Sequence, residues 1–170
     1  MGNHFHFALR IKKDNEIGYL NPQYARSEDL YLKWKIYFPE TEYEKQENKF
    51  VKKPVPEKMF QHFFIAYAKG FNSKYKRTGS LFEYKFRRIL IENERFLKNV
   101  IIYINNNPIV HGISKKVEQY PYTSYQSLVS TKPTKLARKF VIDLFDGLTN
   151  FISRHNKIDD VSGIDDLLLE

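Results

Sequence analysis

The alternating segment at the start of the chain constrains its fold more than any other part of the sequence. His4 and His6 occupy alternate positions in the run Met-Gly-Asn-His-Phe-His-Phe. The apolar positions between and after them are Phe5, Phe7, Leu9 and Ile11. Because successive side chains of a β-strand point to opposite faces, this pattern predicts a strand over residues 3–11. We expect the two imidazoles on one face and an apolar face that packs against a core.

His4 and His6 are candidate ligands of a divalent metal ion. Neutral imidazole binds divalent transition metals, and it tolerates Mg²⁺ or Mn²⁺ where oxygen atoms of a substrate phosphate complete the coordination shell. Two histidines on the solvated face of a half-buried strand are a common alternative. A metal site therefore needs a second element in the sequence.

The second element is a predicted helix that begins at Asn93 and ends at Pro108. Its apolar side chains recur at helical spacing, at Phe96, Leu97, Val100, Ile101 and Ile104. Asn93 is a favourable N-cap, and Pro108 predicts the end of the helix. Because four helical residues advance by ~400°, Tyr103 and Asn107 lie about 40° apart in projection and one turn apart. A hydroxyl and an amide oxygen therefore share one face.

Tyr103 is a candidate nucleophile. A tyrosine beside two histidines and an amide suits phosphodiester transesterification, in which a metal polarises the scissile phosphate and the phenolic oxygen attacks it. The phenol has an unperturbed pKa of about 10, so a nearby cation has to favour the phenolate. The alternative is a residue at the edge of the core whose hydroxyl reaches water, a description that fits most of the 12 tyrosines.

The order of these segments resembles the insertion sequence 200-like family of single-tyrosine HUH transposases, including its REP-associated relatives. The matching segments are residues 1–6, 71–83, 103–108 and 122–125, followed by a C-terminal part at 140–145 and 151–155. The resemblance implies an α+β fold, with a ferredoxin-like HUH nuclease core made of an antiparallel sheet with helices on one face. It also implies an enzyme that cleaves and rejoins single-stranded DNA through a 5′-phosphotyrosine intermediate.

The resemblance assigns roles to individual residues. It implies that His4, His6 and Asn107 are the metal ligands and that Tyr103 is the nucleophile. The implied metal is Mg²⁺ or Mn²⁺, and the implied partner is single-stranded DNA with a hairpin at the recognised end. Members of the family differ in whether the active form is a homodimer.

The chain departs from the family at its beginning. Family members carry a strand, a helix and a further strand before the His-x-His strand, whereas Met1 stands directly before that motif. The resemblance therefore predicts a core that lacks its N-terminal strand, helix and strand. Three explanations compete: the start was assigned to an internal methionine, the gene is truncated, or the chain is a fragment of a longer product. The first two explanations are favoured here. Such a core would expose backbone edges and an apolar face, so we expect association or poor solubility.

The predicted organisation is a core at residues 1–115, with an insertion at about 12–56, and a helical extension with an acidic tail at residues 116–170. The insertion is expected to be partly helical. Other expected elements are a helix over 57–75, a strand over 81–91, a short helix over 124–130 and two short helices within 135–155. The apolar stripe predicted to be buried on the first helix consists of Phe60, Phe63, Phe64, Tyr67 and Phe71.

The charge of the chain favours a polyanionic partner. The 28 Lys and Arg against 20 Asp and Glu give a net charge of +8, although five acids fall within the last 15 residues.

The predicted DNA-binding residues are Lys69, Lys74, Lys76, Arg77, Lys85, Arg87 and Arg88, which interleave with Phe71, Tyr75, Phe82, Tyr84 and Phe86. Cations can follow phosphates while rings stack on bases, at ~1–3 kcal/mol per base. The alternative is an amphipathic hairpin with its rings in the core, and period-2 spacing favours it for Phe82 and Phe86.

The remaining features limit the class of protein. The absence of cysteine excludes disulfides and thiolate metal sites. No apolar run approaches a membrane span and no signal segment is present, so we expect a cytoplasmic protein with no membrane partner. His62, His111 and His155 have no partner pattern and are interpreted as structural or surface residues.

The sequence favours a DNA transposase of a mobile element. A catalytically inactive remnant that retains only DNA binding is the main alternative. A replication-initiator or relaxase-like nickase shares the His-x-His chemistry, but the single tyrosine before an Asn-Pro pair argues against it.

Overall fold

The computed structural model describes residues 5–13, 16–20, 36–37, 53–82 and 87–157. The chain divides into two compact units, which are described separately. The first unit consists of Met1–Leu9 and Arg88–Glu170, and the second of Arg10–Arg87. The predicted division near residue 115 stays a prediction.

The second unit contains a short strand pair and one long helix. Strand β1 (Tyr19–Leu20) pairs antiparallel with β2 (Ile36–Tyr37), in a register that places Tyr19 opposite Tyr37. Helix α1 spans Pro56–Lys74, with the proline at its start and the preceding Val55 in an extended conformation. Proline favours this position because it has no N–H to leave unbonded and holds the residue before it away from helical angles. The predicted helix over 57–75 is confirmed.

The apolar side of α1 differs from the prediction. No residue of α1 is buried, and the rings of Phe63 and Tyr67 are each 52% exposed. Rings one turn apart contact each other, with centroids 6.4 Å apart for Tyr67–Phe71 and 4.5 Å for Phe71–Tyr75. The predicted buried stripe is therefore wrong. Helical spacing gathers these rings on one side, but burial needs a covering layer, and the two-residue strands of the described part are too short to supply one.

The first unit is helical throughout its described regular structure. Helix α2 spans Glu94–Val110 and is followed by a 3-10 turn at Val117–Gln119. Three short helices follow: α3 at Tyr125–Val129, α4 at Arg138–Leu144 and α5 at Leu148–His155. The predicted tyrosine helix, the short helix over 124–130 and the two helices within 135–155 are confirmed.

The start of α2 agrees with the prediction, whereas its end does not. The side chain of Asn93 accepts a hydrogen bond of 2.8 Å from the backbone N–H of Phe96, as expected of an N-cap. Pro108 was expected to end the helix, yet it lies inside α2, which continues to Val110. Proline removes one hydrogen bond from a helix, and packing around this buried turn outweighs that loss.

The core of the first unit forms where α2 meets the three C-terminal helices. Its buried apolar members are Ile101, Ile102, Val117, Tyr125, Leu128, Phe145 and Phe151. Phe151 is fully buried, and its ring lies 5.1 Å from that of Phe145 and 5.7 Å from that of Tyr125. The three C-terminal helices have only 5, 7 and 8 residues and are too short to be stable alone, so these contacts hold them in the unit.

The predicted α+β class is wrong for the described part of the chain, which is helical and lacks the ferredoxin-like antiparallel sheet. Residues 5–11 and 87–91 form no strand, and residues 3–4 and 83–86 lie outside the description. Phe5, Phe7 and Leu9 are 43%, 60% and 56% exposed, so they do not face a core. Alternation of side chains creates two faces only when a neighbouring strand takes the backbone hydrogen bonds, and no described strand lies beside these residues.

Candidate active site

The structure brings His6 together with Tyr103. Their ring centroids are 5.3 Å apart and their planes are inclined at 71°, so the rings meet edge to face. Tyr103 is only 3% exposed on α2, and His6 is half-buried. Both residues belong to the first unit. One predicted metal ligand therefore lies against the predicted nucleophile, whereas the other, His4, lies outside the described residues.

Asn107 lies one helical turn beyond Tyr103 and is fully buried. Both of its side-chain atoms, Oδ1 and Nδ2, are buried without a hydrogen-bond partner among the described residues. A buried amide left unpaired costs roughly 1–3 kcal/mol, and so such a group calls for an explanation. An oxygen atom held ready for a hard divalent cation is one explanation, because Mg²⁺ and Mn²⁺ bind amide and carboxylate oxygens.

These residues fit a mixed nitrogen and oxygen site for a divalent metal ion. Asn107 would supply an amide oxygen and His6 an imidazole nitrogen, and phosphate oxygens of a substrate would complete the shell. The described part of the chain contains no group of three or more His, Cys, Asp or Glu side chains that could hold a metal. A cation here would therefore depend on Asn107 and on the substrate as well as on histidine.

A buried polar network occupies the other side of the same helical turn. Asn105 Nδ2 lies 3.0 Å from His155 Nε2, and Ser124 Oγ donates a hydrogen bond of 2.7 Å to Asn105 Oδ1. The Nδ2 amide of Asn106 donates to the backbone carbonyl of His155 at 3.1 Å. Asn105, Asn106 and His155 are 1–2% exposed. The network thus joins α2 to the end of α5 and to the start of α3.

The hydrogen bonds of His155 fix its tautomer. Its Nδ1 lies 2.7 Å from the backbone carbonyl of Phe151, which can only accept a hydrogen bond. Nδ1 therefore carries the proton, and Nε2 accepts from the amide of Asn105. Burial lowers the pKa of His155 to about 4, against the opposing effect of backbone carbonyls at Phe151 and Ile101. His155 is neutral at neutral pH.

The pKa of His155 predicts a loss of stability in acid. Its usual value of 6.5 applies to the unfolded chain, so the unfolded chain binds a proton first as the pH falls. The contribution of His155 should be complete above about pH 6.5 and decline toward about pH 4, by roughly 3 kcal/mol at most. Urea unfolding at several pH values would measure it. His155→Gln, which does not titrate, should show a shallower pH dependence than the wild type, and parallel curves would contradict the assignment.

Three asparagines in succession inside an apolar helix were the available signal for this network. The sequence pattern predicted a role for Asn107 and none for Asn105 or Asn106. His155 is expected from the sequence to be a structural or surface residue, and in the structure it is a buried structural residue. No local pattern predicts their pairing, because Asn105 and His155 are separated by 50 residues.

The predicted DNA-binding residues divide between the two units. Lys69, Lys74, Lys76, Arg77 and Arg87 are exposed in the second unit, Arg88 is exposed in the first, and Lys85 lies outside the described residues. Lys74 Nζ lies 5.3 Å from the ring centre of Tyr75, and the Arg77 guanidinium lies 5.8 Å from that of Phe71. Cations and rings are therefore adjacent at the end of α1, as the stacking interpretation requires, and its DNA role stays a prediction.

Comparison with known proteins identified no relative of this chain. No protein-family model matches the chain, and neither a curated protein nor a solved structure matches it. Among the described helices, none has the length and apolar character needed to span a membrane.

Proposed function

We propose that this chain is a metal-dependent tyrosine nuclease of the insertion sequence 200-like transposase class. The observation that carries the proposal is the contact of His6 with Tyr103, one helical turn from the unpartnered amide of Asn107. The three residues come from two distant parts of the sequence, and they are the ones that the family resemblance selects. The proposed substrate is single-stranded DNA with a hairpin, which implies a cytoplasmic location.

Tyr103 would perform the covalent step. Its phenolic oxygen attacks the scissile phosphorus, a bond between tyrosine and the 5′-phosphate forms, and the bond to the 3′-oxygen of the leaving strand breaks. The phenolic proton is lost to solvent, and the departing 3′-oxygen takes up a proton. Rejoining is the reverse reaction, in which a 3′-hydroxyl attacks the phosphotyrosine and releases Tyr103.

His6 and Asn107 would hold the metal ion, with His4 as a further ligand. When bound, Mg²⁺ or Mn²⁺ supplies positive charge to the scissile phosphate and favours the phenolate of the attacking tyrosine. The edge contact between His6 and Tyr103 keeps the nucleophile beside the ligand.

A DNA-binding remnant without catalysis is the second candidate. Residues 5–11 form no strand, so the alternation on which the expected pairing of the two histidines depended is absent there, and this observation favours the remnant. The exposed cations near the end of α1 would still bind phosphates in a salt-dependent way.

Covalent capture of DNA tests the proposed function. We expect labelled single-stranded DNA with a hairpin to form an adduct that survives a denaturing gel in the presence of Mn²⁺ or Mg²⁺. EDTA added before the DNA should prevent the adduct from forming, because the phosphate then lacks its counter-charge in the transfer step. The same strand annealed to its full complement is the control and should give little adduct. Salt-sensitive binding of the single strand with no adduct under any condition would instead establish the remnant.

A further inference from the structure

The asparagines of α2 lie on two sides of the helix: Asn107 is on the side of Tyr103, and Asn105 is on the side that is hydrogen-bonded to His155 and Ser124. Residues advance by about 100° along a helix, so Asn105 lies about 160° around the axis from both Tyr103 and Asn107. Tyr103 and Asn107 are 3% and 0% exposed, and Asn105 is 1% exposed. The helix is therefore enclosed on both sides, and whatever holds Asn105 also sets the direction in which Tyr103 and Asn107 point.

The backbone of this turn is weaker than that of an ordinary helix. Pro108 has no N–H, so the carbonyl of Ile104 loses its helical hydrogen bond. The missing bond spans the residues Asn105 to Asn107 that form the turn. Side-chain hydrogen bonds from outside the helix can restore the lost rigidity, and the described network supplies them at Asn105 and Asn106.

We propose that His155 is a positioning residue for the nuclease site, acting through Asn105 to fix the rotation of α2 that presents Tyr103 and Asn107. This inference rests on the proposed function. Nε2 of His155 holds the amide of Asn105, Ser124 holds its oxygen, and the backbone carbonyl of His155 holds Asn106. Two successive residues of the turn are thus attached to α5: Asn105 on the side opposite the nucleophile, and Asn106 about 60° around the axis from it.

The competing explanation is that the network only stabilises the fold. Variants that remove the acceptor and variants that keep it separate the two explanations. His155→Leu and Asn105→Leu both break the bond between the two side chains. His155→Gln keeps an amide oxygen that can accept from Asn105. Val117→Ala is the matched control, since it trims a buried core residue that takes no part in the hydrogen bonds of the network.

Two readouts are measured on folded variants: the Kd for Mn²⁺, from the electron paramagnetic resonance signal of the free ion, and the rate of adduct formation. Removing a group that orients a metal ligand typically costs about 10–100-fold. We expect a loss of that size in both readouts for the two leucine variants, with most of it recovered in His155→Gln. Val117→Ala should keep both values near wild type despite its lower stability.

Each outcome bears on one claim or on both. Leucine variants that lose no more than Val117→Ala, while the wild type forms adduct, overturn the positioning role and leave the proposed function standing. Mn²⁺ binding that is weakened in the two leucine variants and recovered in His155→Gln, without any adduct from the wild type, supports the positioning role and contradicts strand cleavage. A wild type that neither binds Mn²⁺ nor forms adduct overturns both claims.

If the leucine variants do not fold, Ser124→Ala replaces them. A smaller loss in the same two readouts supports the positioning role, and no loss overturns it.

Discussion

Tyr103→Phe is expected to abolish the covalent DNA adduct and to leave the fold unchanged. Phenylalanine has no oxygen to attack the phosphate, and removing the nucleophile of an enzyme typically lowers its rate by at least about 10⁴-fold. The substitution keeps the ring that fills this buried position and meets His6 edge to face. A denaturing gel measures the adduct, and thermal unfolding followed by circular dichroism checks the fold.

Tyr122→Phe is the matched control for this experiment. Tyr122 is 85% exposed and its ring contacts that of Tyr120, so its hydroxyl does not belong to a buried site. We expect the control to form adduct at the wild-type level. Mass spectrometry of the wild-type adduct should place the DNA on the peptide that contains Tyr103. An adduct that persists in Tyr103→Phe, or that maps to another tyrosine, would show that the nucleophile is misassigned.

Phe151→Ala should destabilise the first unit by about 3–5 kcal/mol, the usual cost of removing a fully buried aromatic ring. Phe151 is 0% exposed, and its ring centroid lies 4.1 Å from that of His155 and 5.1 Å from that of Phe145. Small domains are stable by only about 5–15 kcal/mol, so the loss would be a large share of the total. Urea unfolding followed by circular dichroism measures it.

Phe140→Ala provides the comparison for Phe151. Phe140 lies on α4 and is 57% exposed, so the same truncation leaves no cavity. Its expected effect is within about 0.5 kcal/mol of zero. Equal destabilisation by the two substitutions would mean that the core is not centred on Phe151. A large loss only at Phe151 would confirm that its ring is buried in the core of the first unit.

The helices of this chain could be predicted because their signals are local. Asn93 caps α2 through a residue three positions away, and the apolar spacing of α2 repeats within each turn. Since the angle between helical residues is fixed, the common face of Tyr103 and Asn107 followed from their spacing alone. Pro108 misled the prediction because the cost of a proline within a helix depends on packing that the local sequence does not reveal.

The strand predicted at residues 3–11 shows the opposite case. Alternation at Phe5 and Phe7 is a necessary condition for a half-buried strand, but hydrogen bonds to a second strand and a covering layer both come from elsewhere in the chain. The exposed rings of α1 have the same origin. In both segments the pattern specified which side chains share a side, and it could not specify what they pack against.

The sequence by itself therefore determined the positions of the helices and the pairing of Tyr103 with Asn107 on one face, because these depend on neighbours within a few residues. Only the tertiary structure decided that His6 lies against Tyr103, that Asn107 is buried without a partner, and that His155 holds Asn105. These relations join residues far apart in sequence. They depend on how the helices pack, and neither local periodicity nor residue type encodes that packing.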